Sequence, residues 1–515
     1  MNNLNGQHVL ILGLGHSGLA MARWCVRCGA QVTVADTRAQ PPQLAVLQSE
    51  LPGARFVHGA LDASLVQGTD VRAVFKSPGL TPDEVVGVVS AAREQGLWVG
   101  GELSLFAQAL ADLKEAKGYS PQLLAVSGTN GKTTVTSLTA QLVARAAKTV
   151  VKAGNIGPTL LDTLTLRLDA DTLPEVWVLE LSSFQLDDAS DFEPTAATVL
   201  NISQDHLDWH GSMDAYVAAK ARVFGKQALM LLNRDEPRVM AMLATPAPAV
   251  ATKRGTPAPL AQHDWLSFGS DMPRRPGDFG IEVVNGMSWL VRAMEAEETH
   301  KSKRAAAREP AAELHIQRLM PADALRIRGR HNALNALAAL ALAASAGCGL
   351  AATLHGLREY CGEPHRVQPV GMLADVEYFD DSKGTNVGAT VAALAGLGSD
   401  RRVVVILGGE GKGQDFSPLA APVAQYARAV VLIGRDAPLI RAALEATSVP
   451  LLQAESMPQA VQLAKQHALP GDAVLLSPAC ASFDMFDNYE HRAQLFVQAV
   501  QELALEAGAM LEGDA

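Results

Sequence analysis

The sequence predicts an α/β protein built as three domains in series: an N-terminal Rossmann-like domain, a central P-loop mononucleotide-binding sheet and a C-terminal Rossmann-like domain. Three observations predict it. Strand-like and helix-like stretches alternate along most of the chain, the pattern of parallel sheets whose crossovers are helices. Two glycine turns, Gly13-Leu-Gly15-His-Ser-Gly18 and Gly128-Thr-Asn-Gly131-Lys132, each leave an apolar strand and open a helix. At 515 residues the chain is too long for one core, and about 100–200 residues per domain gives three.

The first domain is expected over 1–115. Its strand His8 to Leu12 runs into the first glycine turn and a helix from Ser17 to Cys28; strands Gln31 to Ala35 and Val71 to Phe75 follow, the latter ending at Ser77-Pro78-Gly79. Asp36 closes the second strand, which completes a dinucleotide-binding fingerprint. The physics of that turn guarantees only a helix N-terminus offered to a pyrophosphate, so both NAD and a nucleotide sugar stay open. The polar, turn-rich Lys114 to Pro121 reads as a linker.

A central domain is expected over 116–362, with strands Leu123 to Ser127, Val176 to Leu181, Ala197 to Ile202 and Ala228 to Leu232. From about 253 to 324 the pattern weakens into proline, charge and alanine, including Glu295 to Glu309, and reads as a solvated, mobile insertion. Gly329-Arg-His-Asn332-Ala-Leu-Asn335 then opens an alanine-rich helix reaching Ala346. In the third domain, 363–515, strands are expected at Val376 to Phe379, Arg402 to Leu407, Ala429 to Ile433 and Ala473 to Leu476, with helices Asn386 to Gly396 and Pro458 to Gln466 between them.

Composition bounds the function. A formal net charge of −11 argues against a nucleic-acid surface, which needs clustered Lys and Arg. No apolar run approaches the ~20 residues that span a bilayer, and the chain enters its first strand at His8 with no room for a signal peptide, so a cytoplasmic protein without a membrane partner is expected. Five cysteines, an odd number, suit a reducing compartment; Cys25-Val-Arg-Cys28 lies inside a helix with no second pair and reads as buried thiols.

The second glycine turn carries the strongest chemistry. Glycines let backbone N–H groups close on phosphate oxygens, the lysine reaches the outer phosphates, and a hydroxyl of Thr133 or Thr134 can hold Mg²⁺. Its spacing is shorter than the general pattern, because Val126 stands where that pattern has its first glycine. Two further strand ends are polar: Glu180-Leu-Ser182-Ser183-Phe-Gln185, and Asn201 through Asp205-His206 to Asp208. Mg²⁺ beside a nucleotide needs oxygen ligands, so Glu180 and Thr133 are candidate holders and His206 a candidate at a second ion. His206 and His210 stand four apart, but the glutamate of H-E-x-x-H is absent. In the third domain His365-Arg366 precedes Asp380-Asp381-Ser-Lys383-Gly-Thr385-Asn386; the arginine could neutralise phosphate charge and an aspartate could bind a ribose hydroxyl, and Gly408 to Gly413 embeds Lys412, which could receive a carboxylate.

Taken in order, Gly128 to Thr134, Glu180 to Gln185, Asn332-x-x-Asn335, His365-Arg366 and Asp381 to Asn386 resemble the Mur ligases, ATP-dependent amide-bond-forming enzymes of peptidoglycan synthesis. Leu476 to Phe486, with the glycine-rich first domain, is similar to the D-glutamate-adding branch; the L-alanine-adding branch is the alternative. The resemblance implies a UDP-sugar rather than NAD on the first domain, at His16, Ser17, Thr37, Arg38 and Gly79, with Asn155 a further substrate contact. It implies ATP at Gly128, Thr129, Asn130, Gly131, Lys132, Thr133, Thr134, Asn332, Asn335, Arg366 and Asp381. Two Mg²⁺ would lie at Thr133, Glu180, His206 and a carbamylated Lys220, with Lys132, His206 and Lys220 catalytic. D-glutamate would meet Thr385, Lys412, Ser482 and Tyr489, the last a position where relatives can carry phenylalanine. The implied partners are UDP-N-acetylmuramoyl-L-alanine and D-glutamate, acted on by a monomer.

Overall fold

The computed structural model describes residues 4–187, 189, 191–244, 264–295, 314–399, 401–508 and 511. Strands β1 (His8–Leu12), β2 (Gln31–Asp36), β3 (Arg55–His58), β4 (Val71–Lys76) and β5 (Trp98–Gly100) form a parallel sheet in the order β3-β2-β1-β4-β5. The order reverses at β1, and the helix His16–Arg27 starts in that crevice, where open parallel sheets receive ligands. Cys25 on it and Cys28 at its C-terminal end are free and buried.

The central sheet contains β6 (Gln122–Ser127), β7 (Val150–Gly154), β8 (Val176–Glu180), β9 (Ala196–Val199), β10 (Leu229–Asn233) and β11 (Trp265–Phe268), all parallel, in the order β11-β10-β9-β6-β8-β7. These strands read as unbroken apolar runs because both faces are covered. Along β8, Trp177 and Leu179 join a core shared with the first domain, while Val176 and Val178 face the opposite core with the alanine-rich helix Arg330–Ser345. That helix is apolar all round because it is buried, with Ala336 to Ala343 at most 3% exposed. Trp177 also meets Phe106 of the helix Glu102–Lys117 edge to face at 5.2 Å, and Arg23 and Arg27 pair with Asp162 and Asp169, so the first two sheets share one packed interface.

Two sequence expectations are corrected. The reading of 253–324 as a solvated insertion fails for its described part: β11 extends the central sheet, and β12 (Phe279–Val284), β13 (Met287–Glu295) and β14 (Leu314–Pro321) form an antiparallel meander. The rest of that stretch, including most of Glu295 to Glu309, lies outside the described residues. The linker read at Lys114 to Pro121 is half helix: Lys114 and Lys117 form the last turn of Glu102–Lys117, where cations suit the helix dipole, and Gly118 ends it at φ +68.

The third sheet holds β15 (Gln368–Leu373), β16 (Val376–Asp380), β17 (Val403–Gly408), β18 (Ala427–Ile433), β19 (Leu451–Gln453) and β20 (Ala473–Leu476) in the order β15-β16-β20-β17-β18-β19. Only β15 runs antiparallel, as an edge hairpin with β16. The ends of β16, β17 and β20 face the central sheet's strand ends, and the candidate site lies between them. Among the described residues no helix is long and apolar enough to cross a membrane.

Candidate active site

β6 ends at Ser127, and the chain turns through Gly128 (φ +142) and Gly131 (φ +85) into the helix Lys132–Arg145. Gly131 is required twice over, by its left-handed backbone and because a Cβ would stand 2.8 Å from Asn335 Oδ1. The loop is held from behind by the exit of β9. Thr129 N–H donates to the Asn201 carbonyl (3.0 Å), Asn130 N–H to Asn201 Oδ1 (2.8 Å), and Asn201 Nδ2 returns a bond to the Asn130 carbonyl (3.0 Å). Those two amides are therefore committed, and the anion-facing donors are the unpaired N–H groups of the helix's first turn. Lys132 Nζ curls over the loop onto the carbonyls of Gly128 (2.9 Å) and Thr129 (2.8 Å).

Lys220, on the helix Met213–Ala221, reaches the same place: its Nζ donates to the Gly128 carbonyl at 2.8 Å and the side chain is 2% exposed. The Tyr216 ring lies 4.6 Å from that nitrogen, and the Tyr216 hydroxyl is 3.0 Å from Thr129 Oγ1. Burial, reinforced by the neighbouring Lys132 ammonium, holds the Lys220 amine well below the usual lysine range despite Asp205 and Glu180. Burial also lowers Lys132, against the pull of the same two carboxylates.

Glu180 ends β8. Its Oε1 accepts from Asn155 Nδ2 (2.9 Å), whereas Oε2 is buried without any hydrogen-bond partner. An unpaired buried carboxylate oxygen is costly and suits a cation. Asn155 thus stands with the central site rather than at the first domain's glycine turn. His206 has φ +53 and caps the short helix Leu207–His210, its ring 4.6 Å from that of Phe184. Burial lowers it, partly offset by Asp205. His210, lowered to about 4 by burial, is bound at Nε2 by Ser183 Oγ (2.9 Å), so the two histidines do not form a metal pair. Ser182 and Gln185 cap the helix Ser183–Leu186.

The third domain closes over this loop. Arg366 Nη2 donates to Thr133 Oγ1 at 2.7 Å, and Asn130 and Asn386 exchange amide hydrogen bonds of 3.2 and 3.0 Å. Between them is a cleft lined by Asn130, Gly131, Thr134, Asn332, Asn335, Arg366 and Asp381. Asn335 Nδ2 donates to Asn332 Oδ1 (3.0 Å). Burial raises Asp381 to about 7 although Ser477 Oγ donates to it at 2.6 Å. Nearby, Glu410 and Ala481 form a two-bond bridge (2.9 Å each) that packs the Lys412 loop against Ser482. Lys412 Nζ lies 6.0 Å from the exposed Phe483 ring, and Lys383 Nζ 5.0 Å from the Tyr489 ring. Thr385 follows Lys383 in the same loop and donates its N–H to the Lys383 carbonyl (2.9 Å).

At the first domain, Leu14 N–H donates to Asp36 Oδ2 (2.7 Å) and Arg38 grips both carboxylate oxygens (2.9 and 2.8 Å). Burial would raise Asp36, but these bonds outweigh it and hold the carboxyl at about 2. Ser77 Oγ donates to the Gly13 carbonyl (3.0 Å), which orders the turn carrying His16, Ser17 and, across from it, Thr37 and Gly79. A dinucleotide's ribose would need Asp36 free.

Family models match three consecutive segments: the Mur ligase MurD-like N-terminal domain at residues 7–101, the Mur ligase middle domain at 126–260 and the Mur ligase glutamate ligase domain at 365–480. A protein of Albidiferax ferrireducens named UDP-N-acetylmuramoylalanine--D-glutamate ligase is 70% identical over 515 residues, covering 100% of both chains. The chain belongs to the Mur ligase family. A Polaromonas protein of the same name is 58% identical over 99% of this chain and 100% of its own. Among solved structures, Thermotoga maritima MurF ligase in complex with ADP superposes at TM-score 0.56 with 14% identity, over 98% of this chain and 100% of that one. The Thermotoga maritima UDP-N-acetylmuramate-alanine ligase gives 0.52 with 20% identity, over 96% and 99%. Both share the fold.

Within this Mur ligase, sequence reasoning missed several site neighbours. Tyr216 lays its ring against the Lys220 amine. Glu102 is 3% exposed at the start of its helix, accepts from Leu161 N–H (3.0 Å) and bonds Ser17; burial raises it to about 7. Arg492 is fully buried and ties the Ser382 carbonyl (2.7 Å) to that of Cys480 (3.1 Å). None carries a local motif.

Proposed function

We propose that this chain joins D-glutamate to UDP-N-acetylmuramoyl-L-alanine in the cytoplasm, with ATP converted to ADP and phosphate. The observation that carries the reading is the shared point at Gly128 and Thr133, where the buried Lys220, the half-buried Lys132 and an arginine from another domain meet one phosphate loop. A carboxylate acylates poorly because oxide is a bad leaving group. Transfer of the γ-phosphoryl group to the alanyl carboxylate makes an acyl phosphate and releases ADP. The D-glutamate amine then attacks the acyl carbon, and the C–O bond to phosphate breaks. Both steps bring anions together, so charge neutralisation and positioning dominate catalysis.

Lys132 swings from the loop carbonyls to the transferring phosphoryl group, and Arg366 reaches the same phosphates from the third domain. Asn332, Asn335 and Asp381 line the nucleoside end of the cleft, and the first-turn amides from Gly131 to Thr134 take the phosphates. Thr133, the unpaired oxygen of Glu180 and His206 would hold Mg²⁺, which would supply charge neutralisation at the phosphates. Lowering of the Lys220 amine favours the neutral form, which would add to CO₂ with loss of a proton to leave a carbamate beside Lys132. His16, Ser17, Thr37, Arg38 and Gly79 hold the UDP-sugar, with Asn155 guiding its peptide end towards Glu180. Thr385, Lys412, Ser482 and Tyr489 receive D-glutamate.

The test is phosphate release from Mg²⁺-ATP and UDP-N-acetylmuramoyl-L-alanine with D-glutamate, L-glutamate or L-alanine. Release only with D-glutamate is expected. Release with L-alanine on the unsubstituted UDP-N-acetylmuramic acid instead would reject the assignment.

A further inference from the structure

Asn386 sits at the junction of three functional pieces and has no part in the roles above. It caps the helix Val387–Gly398, its Oδ1 accepting from Ala389 N–H at 2.9 Å. The same amide exchanges two hydrogen bonds with the side chain of Asn130 in the phosphate loop, at 3.2 and 3.0 Å, and points its second N–H at Asp205 Oδ2 (3.5 Å). Its donors and acceptor are all engaged, and the residue is 6% exposed. The approach is close: a Cβ on Gly388 would stand 2.9 Å from Ser203 Oγ and 3.1 Å from Asn130 Nδ2.

On the other side of the same helix start, Val387 N–H donates to Gln414 Oε1 (3.0 Å), and Gln414 Nε2 donates to the carbonyls of Gly411 (3.0 Å) and Ala479 (3.3 Å). Gln414 thereby fixes the turn that carries Lys412. A continuous polar chain runs from the phosphate loop through Asn130, Asn386, the helix start and Gln414 to the loop assigned to D-glutamate.

We infer that Asn386 is a positioning residue that latches the amino-acid loop to the phosphate loop, so that the D-glutamate site is complete only when the third domain rests on Asn130. The inference deepens the proposed function and rests on it for the identity of the amino acid. Capping alone needs just an acceptor, which serine or aspartate supplies. The latch needs the amide donors as well, and this separates the two roles.

The experiment uses the full chain with Asn386→Ser, Asn386→Asp, Asn130→Ala and the double variant Asn130→Ala/Asn386→Ser. Two readouts are taken: the distance between dyes on the central and third domains, with and without a non-hydrolysable ATP analogue, and the D-glutamate dependence of phosphate release. Both Asn386 variants should keep a cooperative thermal unfolding transition, shift the distance towards open, and raise the KM for D-glutamate about tenfold, a usual size for a buried polar coupling. The double variant should be no worse than Asn386→Ser. Wild-type closure in both Asn386 variants, or losses that multiply in the double variant, would overturn the latch. Phosphate release by the wild type that ignores D-glutamate would reject the proposed function, and the distance comparison would still decide the latch.

Discussion

The two glycine turns look alike in sequence and are built for opposite work. At Gly13 to Gly18 the nearby carboxylate, Asp36, is closed off by Leu14 N–H and Arg38, and the turn is a fixed cradle. At Gly128 to Gly131 two lysine amines crowd one carbonyl, and a carboxylate oxygen of Glu180 is left unpaired nearby. The first turn is electrostatically satisfied and the second is not. A strand-turn-helix motif positions an anion in both, but chemistry resides where the protein leaves charges unbalanced.

This contrast can be broken most severely at Lys132. Lys132→Ala should cut phosphate release about 10³-fold, while equilibrium binding of the UDP-sugar, measured by calorimetry, stays within a few-fold of wild type. Lys220→Ala should cost about 10²-fold, and a short-chain carboxylic acid should restore part of the rate. Full activity of the alanine variant would remove the carbamate.

The first turn is sharpened by stability rather than rate. Asp36 has a folded pKa of about 2, below its ordinary 3.8, so its contribution of about 2 kcal/mol is present above pH 4 and lost as pH falls towards 2. Asp36→Asn should lower the unfolding midpoint at pH 7 and erase that part of the acid sensitivity. Glu102 has the opposite sign. Its folded pKa of about 7 exceeds the ordinary 4.5, so its contribution is full below pH 4.5 and lost as pH rises through 7. Glu102→Gln should flatten this slope and modestly raise the midpoint at pH 8, which thermal scans at several pH values will show.

What the sequence reveals follows from what it encodes locally. β6 with its loop, the polar ends of β8 and β9 and most third-domain strands are continuous apolar runs ending in glycine or charge, and these were legible. The meander was not, because β14 is mostly half-buried, with Met320 its one buried position and no long apolar run. Lys220 meets Gly128 across 92 residues and Asn386 meets Asn130 across 256. A lone lysine in a helical pattern reads as solvated charge. Only its place beneath the phosphate loop makes it unusual, and the family resemblance, not its own surroundings in sequence, singled it out.

The charge imbalance at the second turn should activate a carboxylate by phosphorylation. This activation is tested most directly by supplying UDP-N-acetylmuramoyl-L-alanine with ¹⁸O in its alanyl carboxylate and analysing the phosphate released with D-glutamate by mass spectrometry. One ¹⁸O per phosphate for each amide formed is predicted, since the oxygen that leaves the acyl carbon departs on phosphorus. Amide formation with unlabelled phosphate would contradict the account.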